Sequence, residues 1–296
     1  MNVRKEIMSN FSINNPGNEK PDIGRLFHEG RLAESLKAAN DAVRQAPASA
    51  EPRILLAELL LFDGNLDRAD VVLEAAAGVD PSASLVVAEF RQLLRAAMGR
   101  RQVLREGKLP EFLGEPTASQ KCLLQGLMAL RAGDERGAAK AAKEAELVRP
   151  AVTGRHADAA FADWRDADDL WAGSFEILTT TGKYFWVPTE RVASLDFHAP
   201  VRLRDLLWRR CSMVVRDGPD GDIYLPALYD FALLEHDKNT RQLGQETAWT
   251  DSVPVRGIGQ RIFLAGDAGV SIHEMTDVEF MGVEAGKAEA SGPVAR

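Results

Sequence analysis

The chain has 296 residues, with 36 Lys and Arg against 44 Asp and Glu, for a formal net charge of −8. At roughly 150 residues per domain, this length allows about two domains. Apolar residues at 45% and charged residues at 27% exclude a disordered, collagenous or disulfide-rich chain, and the acidic balance argues against a phosphate backbone as partner, which needs clustered Lys and Arg.

Residues 1–20, with Asn-Asn-Pro-Gly-Asn at 14–18, read as a flexible tail and lack the apolar core of a signal peptide. The longest apolar stretch, residues 54–62, is interrupted by Glu58 and is far short of the roughly 20 residues of a membrane span. Cys122 and Cys211 lie far apart with no CxxC, which suits a reducing compartment. A soluble, cytoplasmic protein is the expectation.

Residues 21–150 are Ala-rich and carry an internal repeat. Gly30 to Pro47, Gly64 to Pro81 and Gly133 to Pro150 all span 17 residues, and the first two units are 34 apart. That is the period of a tetratricopeptide helix pair. Small residues fall in register after each Gly: Ser35, Ala69 and Ala138, then Ala42, Ala76 and Ala145. Ala57 and Gly126 fall in register before the second and third. The Gly is read as the turn between helices A and B, where positive φ is cheap, and the Pro as the stop after helix B. Gly99 to Pro116 has the same length, but Gly107, Pro110 and Gly114 break it. It reads as a degenerate repeat or a helix–loop spacer.

Beyond Pro150 the grammar changes. All five Trp and all three Tyr lie there, and so does the whole net charge: residues 1–150 balance at zero. Residues 174–180 and 183–187, joined by Thr181-Gly182, predict a hairpin. Residues 193–197 predict a strand, 211–216 and 223–225 a second hairpin, and 260–264 and 271–280 further strand or mixed segments. Residues 203–208 and 227–236 read as helical, and residues from 284 onward as a flexible tail. The expected fold is α+β: tetratricopeptide-like helical repeats over 21–150, then a compact β-rich domain over 151–283.

The densest chemistry is an acidic cluster, Asp158, Asp163, Asp166, Asp168 and Asp169. Hard cations take carboxylates at such density, but the cluster lacks the Gly and closing Glu of an EF-hand. Helix capping near Ala167, with Arg165 neutralising part of the charge, and contact with a partner are the other readings. The five histidines show no metal-ligand spacing, and neither GxSxG nor GxxxxGK[ST] is present. Gly257-Ile-Gly259 begins like a dinucleotide turn but leads into a strand, so Arg256 and Arg261 are expected to pair with Asp on their own domain. Tyr184-Phe185-Trp186 reads as core without a basic stripe beside it. No cofactor is implied.

Stacked helix pairs present a concave face from their A helices. Here the face comprises Glu51, Ile54, Glu58, Leu61 and Phe62 in the second unit and Gln120, Leu123, Leu127, Leu130 and Arg131 in the last. An amphipathic helix would fit such a groove. The alternative is that the β-rich half or the irregular unit covers it. On the open-groove reading, Leu127→Asp weakens capture without unfolding the chain.

Five motifs then occur in order: Asp163-Trp-Arg-Asp-Ala-Asp-Asp-Leu170, Glu176-Ile-Leu-Thr-Thr-Thr-Gly-Lys-Tyr-Phe-Trp-Val-Pro188, Leu203-Arg-Asp-Leu-Leu-Trp208, Asp217-Gly-Pro-Asp-Gly-Asp-Ile-Tyr-Leu-Pro226 and Pro254-Val-Arg-Gly-Ile-Gly-Gln-Arg261. This series resembles the ImpE/TagJ family of bacterial type VI secretion accessory proteins over roughly residues 25–282. Arg165, Asp166, Asp168, Asp169, Trp186, Arg256, Gln260 and Arg261 match its motifs without an assigned role. The resemblance implies a cytoplasmic, non-enzymatic accessory. Its implied partners are the small sheath subunit, TssB-like and held through a helix, and a ClpV-type AAA+ ATPase that recycles contracted sheath. The competing expectation is a metal-binding or hydrolytic module centred on the Asp163–Asp169 cluster.

Overall fold

The computed structural model describes residues 22–230 and 242–283. The two expected tails, 1–20 and 284–296, lie outside the described residues, as does most of the 227–236 segment read as helical. Its first four residues are not helical, and Leu228 forms an isolated bridge to Gln260.

Among the described residues, seven helices fill the first half: α1 (Ile23–His28), α2 (Leu32–Gln45), α3 (Glu51–Phe62), α4 (Leu66–Val79), α5 (Ser84–Arg101), α6 (Ala118–Arg131) and α7 (Glu135–Val148). Gly30, Gly64 and Gly133 turn the chain between α1 and α2, α3 and α4, and α6 and α7, with φ of +80°, +74° and +72°. Only Gly takes this left-handed backbone freely. Helices α2, α4 and α7 each stop two residues before Pro47, Pro81 and Pro150. Ser35, Ala69 and Ala138 are fully buried, as the register of small residues requires. Asn65 and Asp134 cap α4 and α7 through the Arg68 and Gly137 amides, and Thr117 and Gln120 form a capping box on α6.

The stretch from Gly99 to Pro116 is a spacer rather than a repeat. Gly99 sits inside α5, where helix continues because no left-handed residue interrupts it. A π-helical turn (Gln102–Glu106) follows and ends at Gly107, φ +85°. The chain then extends into β1 (Glu111–Phe112), which covers one end of a large sheet.

The second half contributes β2 (Val152–His156), β3 (Ala159–Phe161), β4 (Trp164–Asp166), β5 (Ser174–Thr179), β6 (Tyr184–Pro188), β7 (Val192–Phe197), β8 (Trp208–Val215), β9 (Asp220–Pro226), β10 (Thr247–Trp249), β11 (Gly257–Gly259), β12 (Ile262–Ala265), β13 (Ala268–Ser271) and β14 (Asp277–Val283). The main sheet has nine strands in the order β1-β6-β5-β9-β8-β7-β14-β2-β3, parallel only at β1–β6. A three-stranded sheet, β13-β12-β4, and the pair β10-β11 complete the described architecture. Both expected hairpins form, as β5–β6 and β8–β9. Residues 203–208 are not an α-helix: a single 3₁₀ turn (Leu203–Leu206) leads straight into β8.

Strand β5 is buried on both faces. Phe175 and Ile177 point into a core shared with Trp164, Phe263 and Phe280. Leu178 and its neighbours Tyr184 and Trp186 belong to a second core with Phe90, Leu93, Leu123 and Leu127 of the helices. The helical repeats therefore have no separate interior; they complete theirs on the sheet.

Candidate functional site

The concave face read from the repeats is closed. Ile54, Glu58, Leu61, Phe62, Leu123 and Leu127 are all buried, and Leu130 is half-buried against the same core. Leu170, Trp171, Leu203 and Leu206 of the β-rich half fill the space. Gly126 permits this approach, since a Cβ there would stand 3.0 Å from Leu170 Cδ2. Arg131 turns inward and donates to the Val103 carbonyl at 2.9 Å. These side chains are not a docking surface, because burying them removed the apolar area a partner helix would use.

Glu58, the charge that interrupts the apolar run, has its partner here. Its carboxylate is fully buried and accepts Arg202 Nε at 2.7 Å. Burial raises its pKa, and the Arg202 charge works against that rise. Arg202 lies just before the 3₁₀ turn, so this pair fastens α3 to the β-rich half.

The acidic cluster is matched by arginines. Asp163 pairs with Arg149 at 2.6 Å, Asp166 with Arg261 at 3.0 Å, Asp168 with Arg256 at 2.9 Å and Asp169 with Arg165 at 2.8 Å. Asp158 is exposed in the turn between β2 and β3. No helix begins near Ala167. Instead Asp166 accepts the Asp168 amide at 2.9 Å, and Asp168 accepts the Leu170 amide at 2.8 Å. The aspartates thus shape a turn between β4 and β5. Asp168 also takes the Gly257 amide at 2.8 Å, and Asp169 the Val255 amide at 2.7 Å, which brings the two distant motifs together. Among the described residues no group of three or more His, Cys, Asp or Glu is arranged to hold a metal ion. A metal would have to compete with guanidinium and amide donors already in place.

Asp166, Asp168 and Glu176 with Arg100, Arg256 and Arg261 form a set of three carboxylates and three guanidiniums, buried but for the edge of Arg100. Arg261 bridges Asp166 and Glu176, and Arg100 closes on Glu176 from α5. Tyr229 donates to Asp166 at 2.7 Å, Tyr184 donates to Glu176, and Trp186 Nε1 donates to the Tyr184 hydroxyl at 2.8 Å. Burial acts to raise the Glu176 pKa, but the Arg100 and Arg261 charges outweigh it and hold it at about 2. Asp166 shares Arg261 with Glu176. Burial raises it to about 7, with Asp168 adding to the rise and Arg261 opposing it. Gln260 holds its place through its backbone, accepting from Thr247 Oγ1 at 2.8 Å and donating to the Glu246 carbonyl at 3.0 Å. Every family-motif residue named from the sequence except Gln260 thus enters the turn, the ion pairs or the aromatic packing by its side chain. Glu176, which pairs with Arg261, and Arg100 and Arg149, which pair with Glu176 and Asp163, come from other elements, and no spacing in the chain points to them.

Another group carries no spacing signal either. His198, Ser212 and Asp222 meet on the open side of β8 and β9: His198 Nε2 is 2.9 Å from Ser212 Oγ, which donates to Asp222 at 2.7 Å. A nucleophile relay requires the imidazole between hydroxyl and carboxylate. Here the hydroxyl stands between the other two, so its proton goes to Asp222. The group borders a cleft between α5 and β8–β9, lined by Leu85, Ala88, Glu89, Gln92, Thr180, Arg210, Asp222 and Tyr224.

Comparison with known proteins agrees with this architecture. The family described as ImpE protein matches residues 158–279, and the tetratricopeptide repeat model matches residues 26–94. The type VI secretion system accessory component TagJ of Pseudomonas aeruginosa is 32% identical over 256 residues, covering 86% of this chain and 89% of that protein. A crystal structure of a Vibrio parahaemolyticus protein superimposes with a TM-score of 0.81 at 25% identity, covering 89% of this chain and 98% of the other.

Proposed function

We propose a role that starts from kinship: this chain belongs to the ImpE family, as a homologue of the type VI secretion accessory component TagJ. Its general role is accessory. The finer reading is a non-enzymatic, cytoplasmic adaptor that binds the TssB-like small sheath subunit and assists recruitment of the ClpV-type ATPase to contracted sheath. The observation that supports an adaptor over a catalyst is that each of Asp163, Asp166, Asp168 and Asp169 is paired with an arginine. These aspartates are consumed in ion pairs within the β-rich half, with Arg149 reaching Asp163 from the end of the helical half, and a rigid body of that kind acts through its surface. No helix among the described residues is long and apolar enough to cross a membrane.

The test is co-elution. The purified chain is mixed with the purified small sheath subunit and, separately, with the ATPase of the same bacterium, then passed over a sizing column with light scattering. A complex with the sheath subunit is expected. Separate elution at tens of micromolar overturns the reading. The metal alternative is checked by thermal shift with Mg²⁺, Mn²⁺ and Ca²⁺, since a specific ligand stabilises by mass action. No stabilisation is expected, and stabilisation by one ion that Asp168→Asn abolishes would favour the alternative.

A further inference from the structure

We draw no further inference here: the strongest candidate, the pair of exposed carboxylates Asp196 and Asp277 that stand opposite each other on β7 and β14 on the open side of the main sheet, is an acidic cluster on an unpartnered sheet face, and nothing in the structure shows what covers it.

Discussion

Arg100 and Glu176, one on a helix and the other on a strand, form a two-pronged ion pair inside the protein, with Nε–Oε1 at 2.7 Å and Nη2–Oε2 at 3.0 Å. Glu176 has no exposed surface. Arg100 also donates to the Leu228 carbonyl at 3.2 Å, so one guanidinium joins α5, β5 and the chain after β9. Arg100→Ala leaves a buried carboxylate with Arg261 as its remaining arginine. The expected loss is about 3 kcal/mol, within the range for breaking a buried pair. Urea denaturation measures it, and a loss below about 1 kcal/mol, the worth of a surface pair, would mean that the pair is solvated.

Acid and neutral pH act on two carboxylates in opposite senses. Glu176 titrates at about 2 in the folded protein, against an ordinary 4.5. Its contribution to stability is present above pH 4.5 and is lost as pH falls toward 2. Asp166 is raised to about 7 from an ordinary 3.8. Its contribution is full below pH 3.8 and is lost as pH rises through 7. Denaturation midpoints across this pH range separate the two. Glu176→Gln is expected to flatten the acid limb, and Asp166→Asn the decline between pH 3.8 and 7. Unchanged slopes in both variants would refute the assignment.

Arg202 and Glu58 make the second link between the halves. Arg202→Ala strands a fully buried carboxylate and is expected to cost about 3 kcal/mol. Adding Glu58→Leu removes the stranded charge, so the double variant is expected to recover most of the loss. A double-mutant cycle in urea gives the coupling energy. Strict additivity would show that the contact contributes nothing.

Leu127 changes its meaning with the structure. It is 2% exposed, in the same buried core as Leu170 and Trp171, so it belongs to stability. Leu127→Ala is expected to cost about 3 kcal/mol by lost burial and cavity formation, and Leu127→Asp to prevent stable folding. Recovery of a folded Leu127→Asp protein with parental stability would reopen the groove.

Two glycines separate backbone strain from crowding. At Gly64, φ is +74° and an added Cβ would meet nothing within 4 Å, so Gly64→Ala is expected to cost about 1 kcal/mol from the left-handed backbone alone. At Gly257 a Cβ would overlap the Tyr229 ring, whose hydroxyl holds Asp166. Gly257→Ala is expected to cost about 3 kcal/mol, as overpacking of a tight site does. Thermal melts rank the two, and a reversed order would contradict the packing.

Local signals are legible wherever the physics is local. Gly30, Gly64 and Gly133 announce their turns because few other residues tolerate that φ, and Pro47, Pro81 and Pro150 announce helix ends because Pro donates no amide. Alternation in 174–180 and 183–187 announces β5 and β6. The helix expected near Ala167 does not form because Asp caps turns as readily as helices, and only the Gly257 and Val255 amides arriving from far along the chain decide between them.

The sequence by itself determined the periods: a 34-residue helical repeat, then alternating strands, with the net charge confined to the second half. What covers the repeat, and where each charge goes, was decided by tertiary structure. An apolar face such as Ile54, Leu61 and Leu127 is the same string of residues whether it awaits a partner or its own sheet, since burial depends on what the rest of the chain brings to it. The same holds for the aspartates. Their density suggested a cation site, and folding supplied the cations as Arg149, Arg165, Arg256 and Arg261, three of them from segments that no spacing rule connects to the cluster.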